Sequence, residues 1–452
     1  MPHVLGVLGG MGPLATVDFL NVQETDAAIE RSARAQLRWR DVTPADRSRL
    51  LRRFAETVDA HLEELALLEV ANAGHTISNA RWEAGNVRDV LYFYAGAPER
   101  HSGRQIPVAG GVDITFYEPI GVVGIIVPWN FPMPIAAWGF APALAAGNTV
   151  VLKPAEQTPL SALRLAELAL EAGIPENVFQ VIAGTGEEVG WRFVTNPTVR
   201  KVCFTGSSAV GKRIMAGCAE QIKRVTLELG GKSANIIFDD ADLGRAAASA
   251  PSAVFDNAGQ DCCARSRLLV HASVYETFME RFEPAVKQYR VLDPLDPASE
   301  MGPLISQRQH DRVSDYVAGA NTLFSGTAPQ GSGYWYRPTV LSGDDRTERS
   351  FNEEIFGPVV SVTRFDDEVE AVAIANESNY GLSGSIWTRD VSRALRVARR
   401  IESGALSVNS NSSVRYNTPF GGFKQSGFGR ELGPDALRAF SEEKNVFIAT
   451  EE

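Results

Sequence analysis

The sequence predicts an α/β fold: a parallel-sheet domain with helical crossovers, a second α/β domain and a small β element. Three observations predict it. Short apolar, β-branched runs such as "GVVGIIVPW" (from Gly121) and "NTVVLKP" (residues 148–154) read as strands buried on both faces. Helix-length segments separate successive runs, and this alternation implies parallel pairing through right-handed crossovers. Two further segments, "DITFYEP" (residues 113–119) and "NVFIAT" (residues 445–450), alternate like strands with one exposed face.

The elements follow in order. A length of 452 residues supports two or three domains. Residues 24–72 place apolar side chains at helical spacing and read as two amphipathic helices, with Thr43-Pro44 as the break. The most apolar long stretch, residues 134–154, is interrupted by Pro142, Gly147 and Asn148. It reads as a buried helix and strand rather than a membrane span. Then come the helix "SALRLAELALEAG", the strand "VFQVIAG", a helical stretch at 191–195, the strand "KVCFTG" and the helix "AVGKRIMAGCAEQ". Such a unit is Rossmann-like, a parallel-sheet cofactor domain. After "VTLELGGKSANIIF" the alternation resumes with "ARSRLLVH", a helix from "SVYETF", "GPVVSVTRF" and "EVEAVAIANES". No linker rich in Pro, Gly or Ser parts the halves, so a shared cleft is expected. "AGANTLFSGTAPQGSGYW" (residues 318–335) reads as a surface loop.

Charge and cysteine content exclude several function classes. With 44 basic and 55 acidic residues, the net charge of −11 leaves no basic excess for nucleic acid or an anionic membrane. Four cysteines are too few for a disulfide scaffold, and six scattered histidines form no ligand spacing with them, so no metal is expected. The start "MPHVLGVLGG" lacks a cationic region and a cleavage site, so a cytoplasmic protein with reduced thiols is expected.

Two Gly-rich stretches mislead. "GVLGGMGPLAT" (residues 6–16) resembles the opening of aspartate/glutamate racemases over fewer than twenty residues; it lacks GxGxxG spacing and reads as a terminal strand and turn. "GSSAVGKR" (residues 206–213) nearly matches the ATPase phosphate loop, but Arg213 stands where Ser or Thr must hold magnesium. A strand ending at "CFTG" with a helix beginning at about Ser208 still presents free backbone N–H groups and a positive helix end, which suits a pyrophosphate.

Seven motifs carry chemistry: "PWNFP" (residues 128–132), "KPAEQTP" (153–159), "FTGS", "LELGGKS" (227–233), "NAGQDC", "EEIFGPV" (353–359) and "PFGGFKQSGFGRELG" (419–433). In this order and spacing the sequence resembles NAD(P)-dependent aldehyde dehydrogenases, from about residue 24 to the C-terminus. The resemblance implies an aldehyde dehydrogenase-like fold. It also implies oxidation of an aldehyde to its acid through a cysteine adduct, hydride transfer and thioester hydrolysis.

Matching the motifs assigns the roles. Cys262 is the nucleophile, and Asn130 with the Cys262 backbone N–H forms the oxyanion site. Glu228 is the general base, and Glu431 a second glutamate assisting water or proton exchange. Lys153 and Glu156 hold the adenosine ribose, and a carboxylate at 156 favours NAD over NADP. Gly206, Ser207 and Gly230 approach the cofactor, while Glu354, Phe356 and Trp129 surround the nicotinamide end. Phe131, Trp138 and Phe420 wall a substrate channel, with Cys263 as a small neighbour. Arg415 is a candidate partner for a semialdehyde carboxylate, and Tyr416 for a quaternary ammonium.

The expected domains are a cofactor domain (residues 22–100 and 119–229), a catalytic domain (230–440) and oligomerisation strands (101–118 and 441–452), preceded by an atypical segment, 1–21. A homodimer or homotetramer is expected. Two alternatives are a CoA-acylating relative, which would not need Glu228, and a catalytically silent binding or structural protein on the same fold.

Overall fold

The computed structural model describes residues 19–412 and 414–450. The atypical segment expected at the N-terminus lies outside the described residues up to residue 18.

Of the four sheets among the described residues, three organise the chain and the fourth only pairs Tyr380–Gly381 with Phe423–Lys424. The first has six strands, in the order Gly427–Phe428, Arg224–Glu228, Val199–Thr205, Val122–Ile126, Thr149–Lys153 and Phe179–Val181. Five are parallel, and Gly427–Phe428 closes one edge antiparallel, so the C-terminal part of the chain returns to this sheet. Val122–Ile126 and Thr149–Lys153 are buried at every position, which is why their sequences do not alternate. Strand order reverses beside Val122–Ile126: the chain fills one side as far as Phe179–Val181, then crosses to the other. A crevice opens at the carboxyl ends of the strands at such a point.

The second sheet has seven strands: Thr322–Ser325, Thr339–Ser342, Val359–Phe365, Arg267–His271, Ala234–Ile237, Ser383–Trp387 and Ala405–Val408. Six are parallel. Thr322–Ser325 pairs antiparallel with Thr339–Ser342, so the stretch expected as a surface loop contributes an edge strand instead. Its "TLFS" has enough apolar character to hold an open edge but is too short to signal itself in sequence.

The third sheet, Gln105–Val108, Gly111–Pro119 and Ser441–Ala449, is antiparallel. It contains both segments expected to be strands with an exposed face.

Helices cover the sheets. Val22–Trp39 begins with a reciprocal cap between Asn21 and Glu24, and Pro44–Ala60 is capped by Thr43. The second expected helix is two, Pro44–Ala60 and Leu62–Ala73, because the backbone leaves helical geometry at His61 (φ −117°, ψ 17°). Ile77–Ala95 adds a helix beyond the expected elements. Pro132–Ala145 is buried along its whole length and leads into Thr149–Lys153, as the helix-then-strand reading requires. Among the described residues no helix is long and apolar enough to cross a membrane.

Candidate active site

Cys262 follows a turn that costs conformational energy. Asn257, Ala258 and Gly259 have φ of 49°, 54° and 68°, three consecutive left-handed residues. For the two non-glycines this costs of order 1–2 kcal/mol each. The surroundings hold it in place. Asn257 Nδ2 donates to the carbonyls of Asn130 (2.8 Å) and Gln260 (3.3 Å), and Gln260 Nε2 donates back to Asn257 (3.1 Å). The Ile305 N–H donates to Gln260 Oε1 at 2.9 Å. At Gly259 a Cβ would lie 2.1 Å from the Gly357 carbonyl oxygen, so no other residue fits.

The Asn130 side chain is 3% exposed and donates through Nδ2 to the Gln260 carbonyl at 3.0 Å. An amide nitrogen has two hydrogens, so one remains for a ligand. The Cys262 N–H has no acceptor among the described residues.

Two cavities meet at this point. One, about 420 Å³, is lined by Trp129, Asn130, Gly206, Ser207, Glu354 and Phe356 among others. The other, about 510 Å³, is lined by Trp82, Phe131, Trp138, Asp256, Cys263 and Phe420 among others. Thr205, Glu228 and Cys262 line both. A group bound at Cys262 therefore faces an elongated cleft on one side and an aromatic funnel on the other.

The electrostatics favour the protonated forms of the site's acidic groups. The Cys263 sulfur beside it, together with burial, pushes the Cys262 thiol well above its usual range. Burial and the nearby Glu431 charge push Glu228 well above the ordinary carboxylate range, and both its carboxylate oxygens are buried without a partner. Burial raises Glu431 to about 7. Glu431 lies behind the junction rather than in it, paired through its backbone with Phe420 (2.8 and 2.7 Å).

The first cleft fits a dinucleotide. Ser208–Ala219 begins where the strand Val199–Thr205 ends, and the Gly206 N–H is already bonded to the Glu228 carbonyl at 3.0 Å. The donors for a pyrophosphate are therefore the first-turn N–H groups of that helix. At Gly230 a Cβ would lie 2.3 Å from Glu354 Oε2, so only glycine admits this carboxylate; the Gly231 N–H holds it at 2.8 Å. Trp129 and Phe356 meet edge to face, centroids 5.2 Å apart. At the far end, Lys153 donates to the Pro154 carbonyl (2.7 Å) and lies 3.4 Å from Glu156, which accepts from the Gly186 N–H (2.7 Å). Neither lines the cleft as directly as Gln157 does.

In the funnel, Trp138 and Phe420 stand edge to face at 5.4 Å, and Trp138 Nε1 donates to Asn86 at 3.0 Å. Arg415 and Tyr416 are exposed and do not line it; Tyr416 packs against Phe93. The structure adds residues that motif matching did not single out: Thr205 at the junction, Asn257 and Gln260 in the turn, and Trp82, Asp256 and Asp261 in the funnel. Asn257, Gln260 and Asp261 sit inside the "NAGQDC" motif, where proximity to Cys262 was the available signal.

Comparison with known proteins agrees with this architecture. A family model described as "Aldehyde dehydrogenase family" matches residues 11–446. An aldehyde dehydrogenase of Emericella nidulans is 41% identical over 433 residues, covering 94% of this chain and 87% of that protein. Phenylacetaldehyde dehydrogenase of Pseudomonas fluorescens is 42% identical over 447 residues, covering 95% and 89%. The crystal structure of betaine aldehyde dehydrogenase from Staphylococcus aureus in complex with NAD+ aligns with a TM-score of 0.94 at 35% identity, covering 97% of this chain and 90% of that one. With a cysteine at the meeting of a dinucleotide-shaped cleft and a funnel, and a match over nearly its whole length, the chain belongs to the aldehyde dehydrogenase family.

Proposed function

We propose that the protein oxidises an aldehyde to its carboxylic acid with NAD, using Cys262 as nucleophile and Glu228 as base. The observation that carries this reading is the shared lining of the two cavities by Cys262 and Glu228.

NAD bound in the cleft supplies the hydride acceptor. The first turn of Ser208–Ala219 and Ser207 would hold its pyrophosphate, Glu354 and Phe356 its nicotinamide end, and Lys153 and Glu156 its adenosine ribose. A negative charge at Glu156 repels a 2′-phosphate, which favours NAD over NADP.

The chain's own residues do the rest. Glu228, raised toward a base's working range, accepts the Cys262 thiol proton. The thiolate adds to the aldehyde carbon, and the free Asn130 N–H and the Cys262 N–H receive the oxyanion. As the carbonyl re-forms, the carbon loses its hydrogen as hydride and a thioester to Cys262 remains. Glu228 releases the thiol proton and then takes one from water as that water attacks the thioester; the acid leaves and this proton returns to the Cys262 sulfur. Glu431 faces Glu228 from behind the junction and is placed to exchange its proton. A buried carboxylate beside the thioester supports hydrolysis over release to CoA.

The exposed apolar side chains of the third sheet support self-association. Val112, Phe116, Phe447 and Ile448 lie between 37% and 51% exposed on its strands. We read this sheet as the subunit contact of a homodimer or homotetramer. Light scattering of Phe447→Glu should show dissociation; an unchanged mass would contradict the assignment.

The activity is tested by following NADH and carboxylic acid together, with and without CoA. Equal amounts of both, independent of CoA, are expected. Acyl-CoA as the product would replace this reading with the acylating one.

A further inference from the structure

We propose that the funnel selects aldehydes whose tail ends in a cation, an ammonium group two to four carbons from the carbonyl. This rests on the activity proposed above and names the substrate class for the same site.

Two carboxylates, Asp256 and Asp261, line the funnel and are only partly covered. Their bonds come from neutral donors. Asp256 Oδ1 accepts from Asn79 Nδ2 (2.5 Å) and the Asn257 N–H (3.0 Å); Asp261 Oδ1 accepts from the Cys263 N–H (2.8 Å). Arg265 is the one cationic side chain among the residues described as lining the funnel. It is 3% exposed and donates to Ser385 Oγ (3.0 Å) and to the carbonyls of Cys263 (2.5 Å) and Asn411 (3.1 Å). With Glu228, three acidic side chains line the funnel against one arginine, so acidic groups are in excess. Burial pushes both carboxyls upward, and the charge of Asp261 pushes Asp256 further. A cationic tail between them relieves both effects.

The walls suit the same ligand. Trp82, Phe131, Trp138 and Phe420 surround the funnel, and aromatic faces attract ammonium groups within about 6 Å. The length fits as well. An oxygen of Asp261 lies within 4.8 Å of Cys262 Sγ. A carbonyl carbon bonded to that sulfur reaches the carboxylate through a few C–C bonds of about 1.5 Å each. An anionic tail meets the excess negative charge, while the Arg265 guanidinium is already engaged by Ser385 Oγ and the Cys263 and Asn411 carbonyls and Arg415 stands outside the funnel. A neutral arylalkyl tail would use the same walls but leave the carboxylates unrelieved.

The test compares kcat/KM for tails of matched shape. The pairs are 3-aminopropanal against butanal, and 4-(trimethylammonio)butanal against 5,5-dimethylhexanal, with phenylacetaldehyde and succinic semialdehyde alongside. Each cationic aldehyde should exceed its neutral partner by at least about tenfold, and the semialdehyde should fall at least about tenfold below butanal. Asp256→Asn and Asp261→Asn should each shrink the cationic advantage by about three- to tenfold. The neutral partner reports any loss of folding or of the nucleophile turn. Equal rates within each pair, a preference for phenylacetaldehyde, or an advantage that survives both substitutions would overturn the proposal while leaving the oxidation reading in place. NADH from none of these aldehydes would overturn that reading too.

Discussion

Glu228 and Cys262 line the same junction between cleft and funnel, and both carboxylate oxygens of Glu228 are buried there without a hydrogen-bond partner. Burial of this kind favours the protonated forms of the proposed base and nucleophile. Their pKa shifts share a direction, upward, and their causes are burial and neighbouring groups.

The first prediction concerns pH. Glu228 must lose its own proton before it can accept that of Cys262, so kcat/KM should rise with pH. The charge of Glu431 is one cause of the Glu228 shift. Glu431→Gln removes that charge, lowers the pKa of Glu228 and should move the rising limb to lower pH. A limb that moves to higher pH would contradict the coupling.

The oxyanion site gives a second prediction. Asn130→Ala removes a preorganised donor and should lower kcat by about 10²–10³-fold. It leaves the Asn130 carbonyl available to Asn257, so the turn survives. Steady-state rates with a thermal melt on the same sample check this. A loss confined to KM would argue that Asn130 binds substrate without stabilising the adduct.

Stability should respond to pH through Glu69. Burial raises its carboxyl from 4.5 to about 7, with the Glu83 charge adding to the shift. The folded state thus holds the proton more tightly than the unfolded one. The contribution is fully present below pH 4.5 and is lost as pH rises through about 7, to an extent of order 3 kcal/mol. In Glu69→Gln this loss should be absent. Denaturation midpoints of both proteins between pH 5 and 8 measure the difference.

The strained turn supplies the last substitution. Gly259→Ala would force a Cβ against the Gly357 carbonyl at a left-handed position. Destabilisation of at least about 2 kcal/mol and loss of most activity are expected. Denaturant unfolding monitored with activity measures both; a variant of unchanged stability would mean that the backbone here is free to relax.

Much of this site is written locally. "PWNFP", "LELGGKS", "EEIFGPV" and "NAGQDC" each put a chemically distinctive side chain beside residues that fix its backbone. Taken together in order, these motifs carry the resemblance that points to Asn130, Glu228, Glu354 and Cys262; no one of them does so alone. Apolar runs likewise marked Val122–Ile126 and Thr149–Lys153, because burial on both faces removes alternation. What stayed hidden depends on contacts distant in sequence. Asn257 and Ala258 carry no propensity for left-handed backbone strong enough to announce it; Asn130, Gln260 and Ile305 impose it. Trp82 reaches the funnel from a helix some 180 residues before Cys262, and Gly427–Phe428 crosses to the first sheet by pairing with Leu227 and Glu228. The channel role of Arg415 and Tyr416 failed for the same reason: position in a motif does not say which way a loop turns.

The central claim is that Cys262 carries the acyl group and Glu228 removes it. Rapid mixing of Glu228→Gln with aldehyde and NAD, followed by mass spectrometry of the quenched protein, tests it most directly. The account predicts a burst of about one NADH per active site, slower than in the unsubstituted protein because Glu228 also takes the Cys262 proton, with steady-state turnover reduced about 10²–10⁴-fold. The acyl mass should then sit on the peptide containing Cys262, and Cys262→Ala should abolish both burst and adduct. Turnover of Glu228→Gln at the wild-type rate, or NADH production by Cys262→Ala, would contradict it.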